Sequence, residues 1–445
     1  MDFPYYELPV VGNRVLIAVI ATLHVLVNHS AAIGGSLLVV LAERHALRTG
    51  DADWERLARR LAFAFFLATT TVGALSGVGI WFSAMVSAPQ GIAALLRIFF
   101  WAWFVEWFVF LAEVGMVLAY FLSWDAFCDR RRHLQLGWAY VGTSYVTLLV
   151  IVGILGAMLT PGAWVSDRGF WSAFFNPTYL PQVLLRTGLA LALAAALGAT
   201  LAPWLAPAST RVAFGQLCAR FCLAAAPLMA LGGAWYLAVL PDHVKAQLPA
   251  AAATLAFAQW ADRAAAVHLA LWVGLLVLGL WGLRRTRPWP VPLALGVGLS
   301  LTLALGHFER VREFARKPYL IPGYMYANGL RVADVPRLDR EGLLPHTRWQ
   351  AVRAVVPGQE SEAGQALFRL QCATCHTLRG PNALVPRVAG WPARQIDEFV
   401  GVQHRVHPFM PPFVGTAAER RALAEFLARE AGDGSRLARK PEGRP

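Results

Sequence analysis

The chain has 445 residues, of which 57% are hydrophobic and only 15% charged, and its formal net charge is +13. That length allows two domains, and that composition excludes a disordered chain and an entirely soluble one. Nucleic-acid binding is excluded as well, because the arginines bracket apolar stretches instead of forming one basic face.

Eight apolar runs follow in chain order, at about 13–42, 57–87, 94–123, 134–160, 180–205, 212–240, 256–283 and 290–312. A helix needs about 20 residues to cross the hydrocarbon core, so each run is long enough to span it with some tilt. The first is no cleavable leader: it is long, and Asp2, Glu7 and Arg14 stand where a basic leader segment would be. Its connection to the second carries Arg44, Arg48, Arg56, Arg59 and Arg60. The third connection carries Arg130, Arg131 and Arg132, the fifth Arg211, and the seventh Arg284, Arg285 and Arg287. The even connections are poorer in positive charge, with Arg97, Arg168 and Lys245. The positive-inside bias places the odd connections in the cytoplasm and both termini outside. The stretch 161–179, aromatic and proline-rich, reads as an interfacial loop, and 241–254 as a short one. Cys128, Cys218 and Cys222 lie in or near these runs and read as packing residues.

Ionisable residues inside the runs are expensive to bury and point to function. The first run has His24 and His29, the third Glu106 and Glu113, and the seventh His268. The eighth has His307 and Glu309, with Glu313 one turn further on. Glu106 and Glu113 are seven residues apart and share one helical face. Metal or haem ligation, proton movement and mutual pairing are the three ways such groups offset their desolvation.

Four segments follow: a membrane domain at 1–316, a basic aromatic linker at 317–354, a soluble domain at 355–430 and a tail at 431–445. The soluble domain contains Cys372-Ala373-Thr374-Cys375-His376, the CxxCH pattern of covalent c-type haem attachment. The two thiols form thioethers and His376 is the proximal iron ligand. Met410, within His407-Pro408-Phe409-Met410-Pro411-Pro412-Phe413, is the expected distal ligand, held by prolines that restrict the backbone. His404 and His407 are the alternatives. A Met/His pair raises the haem potential. Residues 362–368 read as an opening helix and 417–430 as a closing one. Attachment motif, methionine and flanking helices occur in the order of a class I cytochrome c, which this region resembles. One covalent haem c is thus expected. Covalent haem attachment in bacteria takes place outside the cytoplasm, which agrees with the charge-based topology.

The membrane runs resemble subunit I of the cytochrome bd quinol oxidases. The resemblance rests on His24 followed by Gly34, on Glu106-Trp-Phe-Val-Phe-Leu-Ala-Glu113 with Trp124-Asp125 after it, and on Glu313-Phe-Ala-Arg316-Lys-Pro318-Tyr319. It implies that His24 binds the haem of the active site, that Glu106 and Glu113 serve proton delivery, and that Glu313 ligates a second high-spin haem. Arg316 is then a propionate partner, a role that suits its planar fork of donors. One or two non-covalent haems, b and/or d, are implied. The family's carboxylates are one residue further apart, which makes Glu113 the firmer match.

Two departures stand out. The family's low-spin haem uses a histidine in the fifth helix, and here that run carries Arg186 and no histidine. The long quinol-binding insertion is missing from the sixth connection, and His268 and His307 are the remaining imidazoles for a rearranged cofactor site. The expected protein is an all-α polytopic membrane protein with about eight transmembrane helices and a small α-helical cytochrome c domain, in the bacterial cytoplasmic membrane. It would exchange electrons between a periplasmic c-type haem and intramembrane haems, as a cytochrome c-linked oxygen reductase. An electron-transfer subunit of a quinol-linked complex, or a mere anchor for the c domain, are the alternatives. Expected partners are other membrane subunits and soluble cytochrome c or quinol.

Overall fold

The computed structural model describes residues 6–126, 129–253 and 263–438; Cys128, the beginning of the seventh run and the end of the tail lie outside them. Among the described residues, eight helices are long and apolar enough to cross a membrane. They are spans 1 to 8: Asn13–Thr49, Ala52–Ser87, Phe100–Leu122, Arg130–Leu159, Tyr179–Leu205, Arg211–Val239, Ala264–Leu283 and Val291–Ala315. Two short helices, Trp164–Asp167 and Phe170–Phe174, occupy the connection expected to be a loop.

Spans 1 and 2 extend past the expected apolar runs into charged sequence, because capping and not hydropathy ends a helix. Gly50 closes span 1 in the left-handed region, its N–H bonded to Ala46 O at 2.8 Å. Asp51 then opens span 2 by accepting from the N–H groups of Asp53 and Trp54. Asp129 opens span 4 likewise through Arg131 N–H.

The described chain forms two compact units. The first comprises Ala21–Val78 and Phe99–Ala315, and so holds most of the spans. Without a hydrophobic drive between helices in lipid, close backbone approach decides which helices pair. Gly34 of span 1 lies against the Ala190 carbonyl of span 5, and a Cβ at Gly232 of span 6 would meet Leu185 N at 2.5 Å. Cys218 and Cys222 are fully buried in the same core, as packing residues. Spans 3 and 7 present mostly apolar, exposed faces.

Spans 1 and 2 each contain a π-helical turn, Asn28–Ile33 and Thr69–Gly73. Such turns rotate side chains off the regular helical face and frequent functional sites.

A buried polar network ties spans 1, 3 and 4. Tyr120 Oη donates to Glu43 Oε2 at 2.6 Å, His133 Nδ1 lies 2.6 Å from Glu43 Oε1, and His133 Nε2 donates to Tyr120 O at 2.9 Å. All three residues are at most 2% exposed. His133→Leu removes a hydrogen-bond partner of the buried Glu43 carboxylate, so it is expected to cost about 3 kcal/mol. A matching fall in the unfolding temperature of the detergent-solubilised protein checks this, and an unchanged temperature would refute it.

The second unit comprises Met1–Ile20, Gly79–Ile98 and Arg316–Pro445. Its helices Glu360–Leu367, Ala393–Val406 and Ala417–Ala438 surround one apolar core containing Leu367, Phe368, Ile396, Leu423 and Phe426. The opening helix passes at its end into a π-turn, Phe368–Cys372, that leads into the CxxCH run. The closing helix continues past 430 to Ala438, so part of the expected tail is helical. A small hairpin, Tyr319–Ile321 with Met325–Tyr326, and the helix Val335–Glu341 occupy the stretch expected to be a plain linker. Leu330, Leu338, Leu343 and Leu344 join the core. Buried Glu419 fastens them, accepting from Leu343 N at 2.9 Å and Leu344 N at 2.8 Å. It also closes a capping box with Thr416. The signal, Thr416-Ala-Ala-Glu419, is present in the sequence.

Candidate functional site

In the second unit the CxxCH run leaves the opening helix with Cys372 and Cys375 both half-buried. Cys372 borders a cleft with Val400, Gln403, Pro411, Phe413 and Leu423. Asn328 and Gln371 join the lining, which is mixed polar and apolar. His376 Nδ1–H donates to Asn382 O at 3.0 Å, which leaves Nε2 as the ring's acceptor nitrogen. A ligating imidazole needs that tautomer. Burial pushes the His376 ring down to about 4, with Arg387 and Arg14 opposing its protonation further, and pushes the Cys372 thiol up to about 12. The imidazole is therefore neutral, its ligand form, at physiological pH.

The segment carrying Met410 is pinned on both sides. Gln403 Nε2 donates to Pro411 O at 2.8 Å, and Gln371 bonds both backbone groups of Val414, at 2.8 and 2.9 Å. Met410 is partly buried, its N–H on His407 O at 2.8 Å. Of the alternative ligands, the His407 ring packs on Phe409 and Phe399, and His404 Nδ1 is buried without a partner among the described residues.

In the first unit His24 faces span 2. Its Nδ1–H donates to Gly73 O at 3.1 Å, and its Nε2 accepts from Asn28 Nδ2 at 2.7 Å. A Cβ on Gly77 would lie 2.9 Å from the ring, so only glycine there admits the imidazole. Glu113 accepts from Thr147 Oγ1 of span 4 at 3.0 Å, and Glu106 lies two turns away on the same helix, half-buried. His268 and His307 come together across spans 7 and 8 with ring centres 5.4 Å apart. His268 Nδ1–H donates to Ala264 O at 2.8 Å, whereas His307 Nδ1 accepts from Arg310 Nη2 at 3.2 Å. Those opposite roles leave His268, and not His307, with an Nε2 lone pair in the neutral state.

Glu313 is 45% exposed and 3.6 Å from Arg312, while Arg316 just beyond span 8 is buried. The more enclosed carboxylate of that turn is Glu309, its side chain 16% exposed. It pairs with Arg186 of span 5 and accepts from Arg312 Nε at 3.0 Å. Around it three buried atoms have no partner among the described residues: His29 Nε2, Tyr236 Oη and Arg312 Nη1. His29 is held by Nδ1–H donation to Val25 O at 2.9 Å, again leaving Nε2 as acceptor. Sequence reasoning noticed Arg186 and Glu309 separately but not their pairing. An arginine and a glutamate in two otherwise apolar spans are the signal that would have found it.

Residues 359–427 match the family described as cytochrome C oxidase, cbb3-type, subunit III. The bd oxidase from Geobacillus thermodenitrificans has a similar structure, with a TM-score of 0.55 and 18% identity, covering 72% of this chain and 89% of that one. At that identity the likeness shows the fold alone. The architecture is a bd-oxidase-like membrane fold fused to a cytochrome c domain. No curated protein matches the chain. The fusion is a multi-pass membrane protein with a covalent haem c, and a haem-based electron-transfer component of the membrane.

Proposed function

We propose that this chain is the core subunit of a membrane oxidoreductase that takes in electrons through its haem c and passes them to one or two non-covalent haems, b and/or d. The observation that carries the reading is Arg186. Span 5, the helix in which the resembled family has the imidazole of its quinol-linked haem, carries no histidine here but a buried guanidinium paired with Glu309. The c domain then supplies the electron entry that span 5 lacks.

In this reading Cys372 and Cys375 would hold the haem c, with His376 and Met410 as the residues that bind its iron. His24 and Glu313 would ligate the intramembrane irons, Arg316 would hold a propionate, and His268 is the further imidazole in ligand form, whereas His307 would first have to leave Arg310. The haem supplies one-electron redox chemistry when bound. Gly73 and Gly77 orient His24, Thr147 holds Glu113, and Asn28 would release His24 Nε2 to the iron. Glu106 and Glu113 are the proton carriers along span 3. The most concrete form is a cytochrome c-linked oxygen reductase in the bacterial cytoplasmic membrane, with the c domain and both termini on the periplasmic side. A second form is an electron-transfer subunit within a larger quinol-linked complex.

Pyridine-haemochrome analysis of the purified chain tests the reading. One haem c plus at least one non-covalent haem is expected. His24→Ala should remove a non-covalent haem and oxygen uptake while leaving haem c in place. Haem c alone, with no b or d signal, would reduce the membrane domain to an anchor.

A further inference from the structure

Within the second unit, the haem-attachment loop is packed against pieces of the membrane domain. A Cβ at Gly380, four residues after His376, would sit 2.6 Å from Pro9 O and 3.0 Å from Val10 O. Gly12 approaches Thr377 and Pro381 from the same segment, at 3.4 and 3.8 Å for the equivalent atom. Glu7 lies 3.5 Å from Arg369, on the turn that leads into the motif. Asn13, the first residue of span 1, is 2% exposed and organises this segment through Leu8 N and Tyr6 O. Its carbonyl accepts from Ser87 Oγ at 3.1 Å, at the far end of span 2. The two span ends therefore form one platform.

A second contact adjoins it. Ala88, Gln90 and Gly91 share a small hollow with Leu320, Asn328 and Thr374, the last being the central residue of CxxCH. Gly329 adopts a φ of +84°, and a Cβ there would lie 2.8 Å from Gln90 Cβ. Asn328 also lines the cleft that holds Cys372. The turn that follows the hairpin, Asn328-Gly329, is thus wedged between the haem cleft and Gln90.

We infer that the attachment loop is the permanently docked face of the c domain, held by Pro9–Gly12 and Ser87–Gly91, and that Asn328, Gly329 and Gln90 bridge the haem cleft to the membrane end of span 2. The c domain is then a fixed electron port, and a soluble donor meets it on a face other than the attachment loop. The transfer is of one electron: the c-haem iron goes from ferrous to ferric, an acceptor haem iron of the membrane part goes from ferric to ferrous, and no proton moves. This electron path rests on the function proposed above; the docking does not.

Two variants of the full-length protein test it. Gly380→Val pushes side-chain atoms into the Pro9 and Val10 carbonyls, and Gln90→Gly removes the bridging side chain without adding bulk. Both should keep the haem c content and c-haem potential of the parent. Gly380→Val should raise hydrogen exchange and protease cleavage at 6–12 and 88–91. Both should slow oxidation of the c haem by the membrane haems, followed by stopped-flow spectroscopy, by tenfold or more. Unchanged protection in Gly380→Val overturns the docking. Lost protection with full-rate oxidation overturns the bridge. A parent protein with no membrane-haem phase at all defeats the functional reading, while the protection measurement still decides the docking.

Discussion

Glu309→Leu is expected to be the most damaging single substitution in the membrane domain. The carboxylate lies between Arg186, 3% exposed, and Arg312, 8% exposed, and is the acceptor for both. Removing it leaves two like charges facing each other away from water, and breaking a buried pair in this way costs about 3–5 kcal/mol. Arg312 keeps only the more distant Glu313, at 3.6 Å. Thermal unfolding in detergent should fall by several degrees and the yield with it. The double variant Arg186→Leu/Glu309→Leu removes one charge of each sign and should regain most of the loss. A single variant as stable as the parent, or a double variant no better than the single, would contradict this account of the ion-pair cluster.

Met410→Ala is expected to leave haem c covalently attached and to lower its midpoint potential by on the order of 0.1 V, since axial ligands set haem potentials over a wide range. Attachment depends on Cys372 and Cys375, whereas the thioether favours the reduced iron. The pinning of Pro411 by Gln403 and of Val414 by Gln371 should keep the segment in place without the methionine side chain. Redox titration at the haem c absorption band provides the measurement. If potential and reduced spectrum both stay at parent values, Met410 is not the ligand; His404 and His407 would then be replaced in turn.

Much of this protein is legible without coordinates. Eight membrane spans follow from length and hydropathy, because the bilayer requires about 20 apolar residues whatever their partners. The haem c follows from five adjacent residues, because thioether attachment and proximal ligation are local chemistry. The helices flanking that motif follow from the spacing of Leu423, Phe426 and Leu427, all of them buried in the core. What the sequence leaves open depends on where separate elements meet. Nothing near Arg186 in the chain announces Glu309, 123 residues away, and only packing turns two expensive charges into one neutralised pair. The tautomer of His24 is set by the Gly73 carbonyl, 49 residues away on span 2. The stretch after span 8 reads as a linker because its hydrophobic residues are few and scattered, yet Leu338, Leu343 and Leu344 find a core supplied by later residues. In the same way the tertiary structure alone decided that the CxxCH loop is covered by the ends of two spans, since close backbone approach at Gly380 and Gly329 depends on segments hundreds of residues apart.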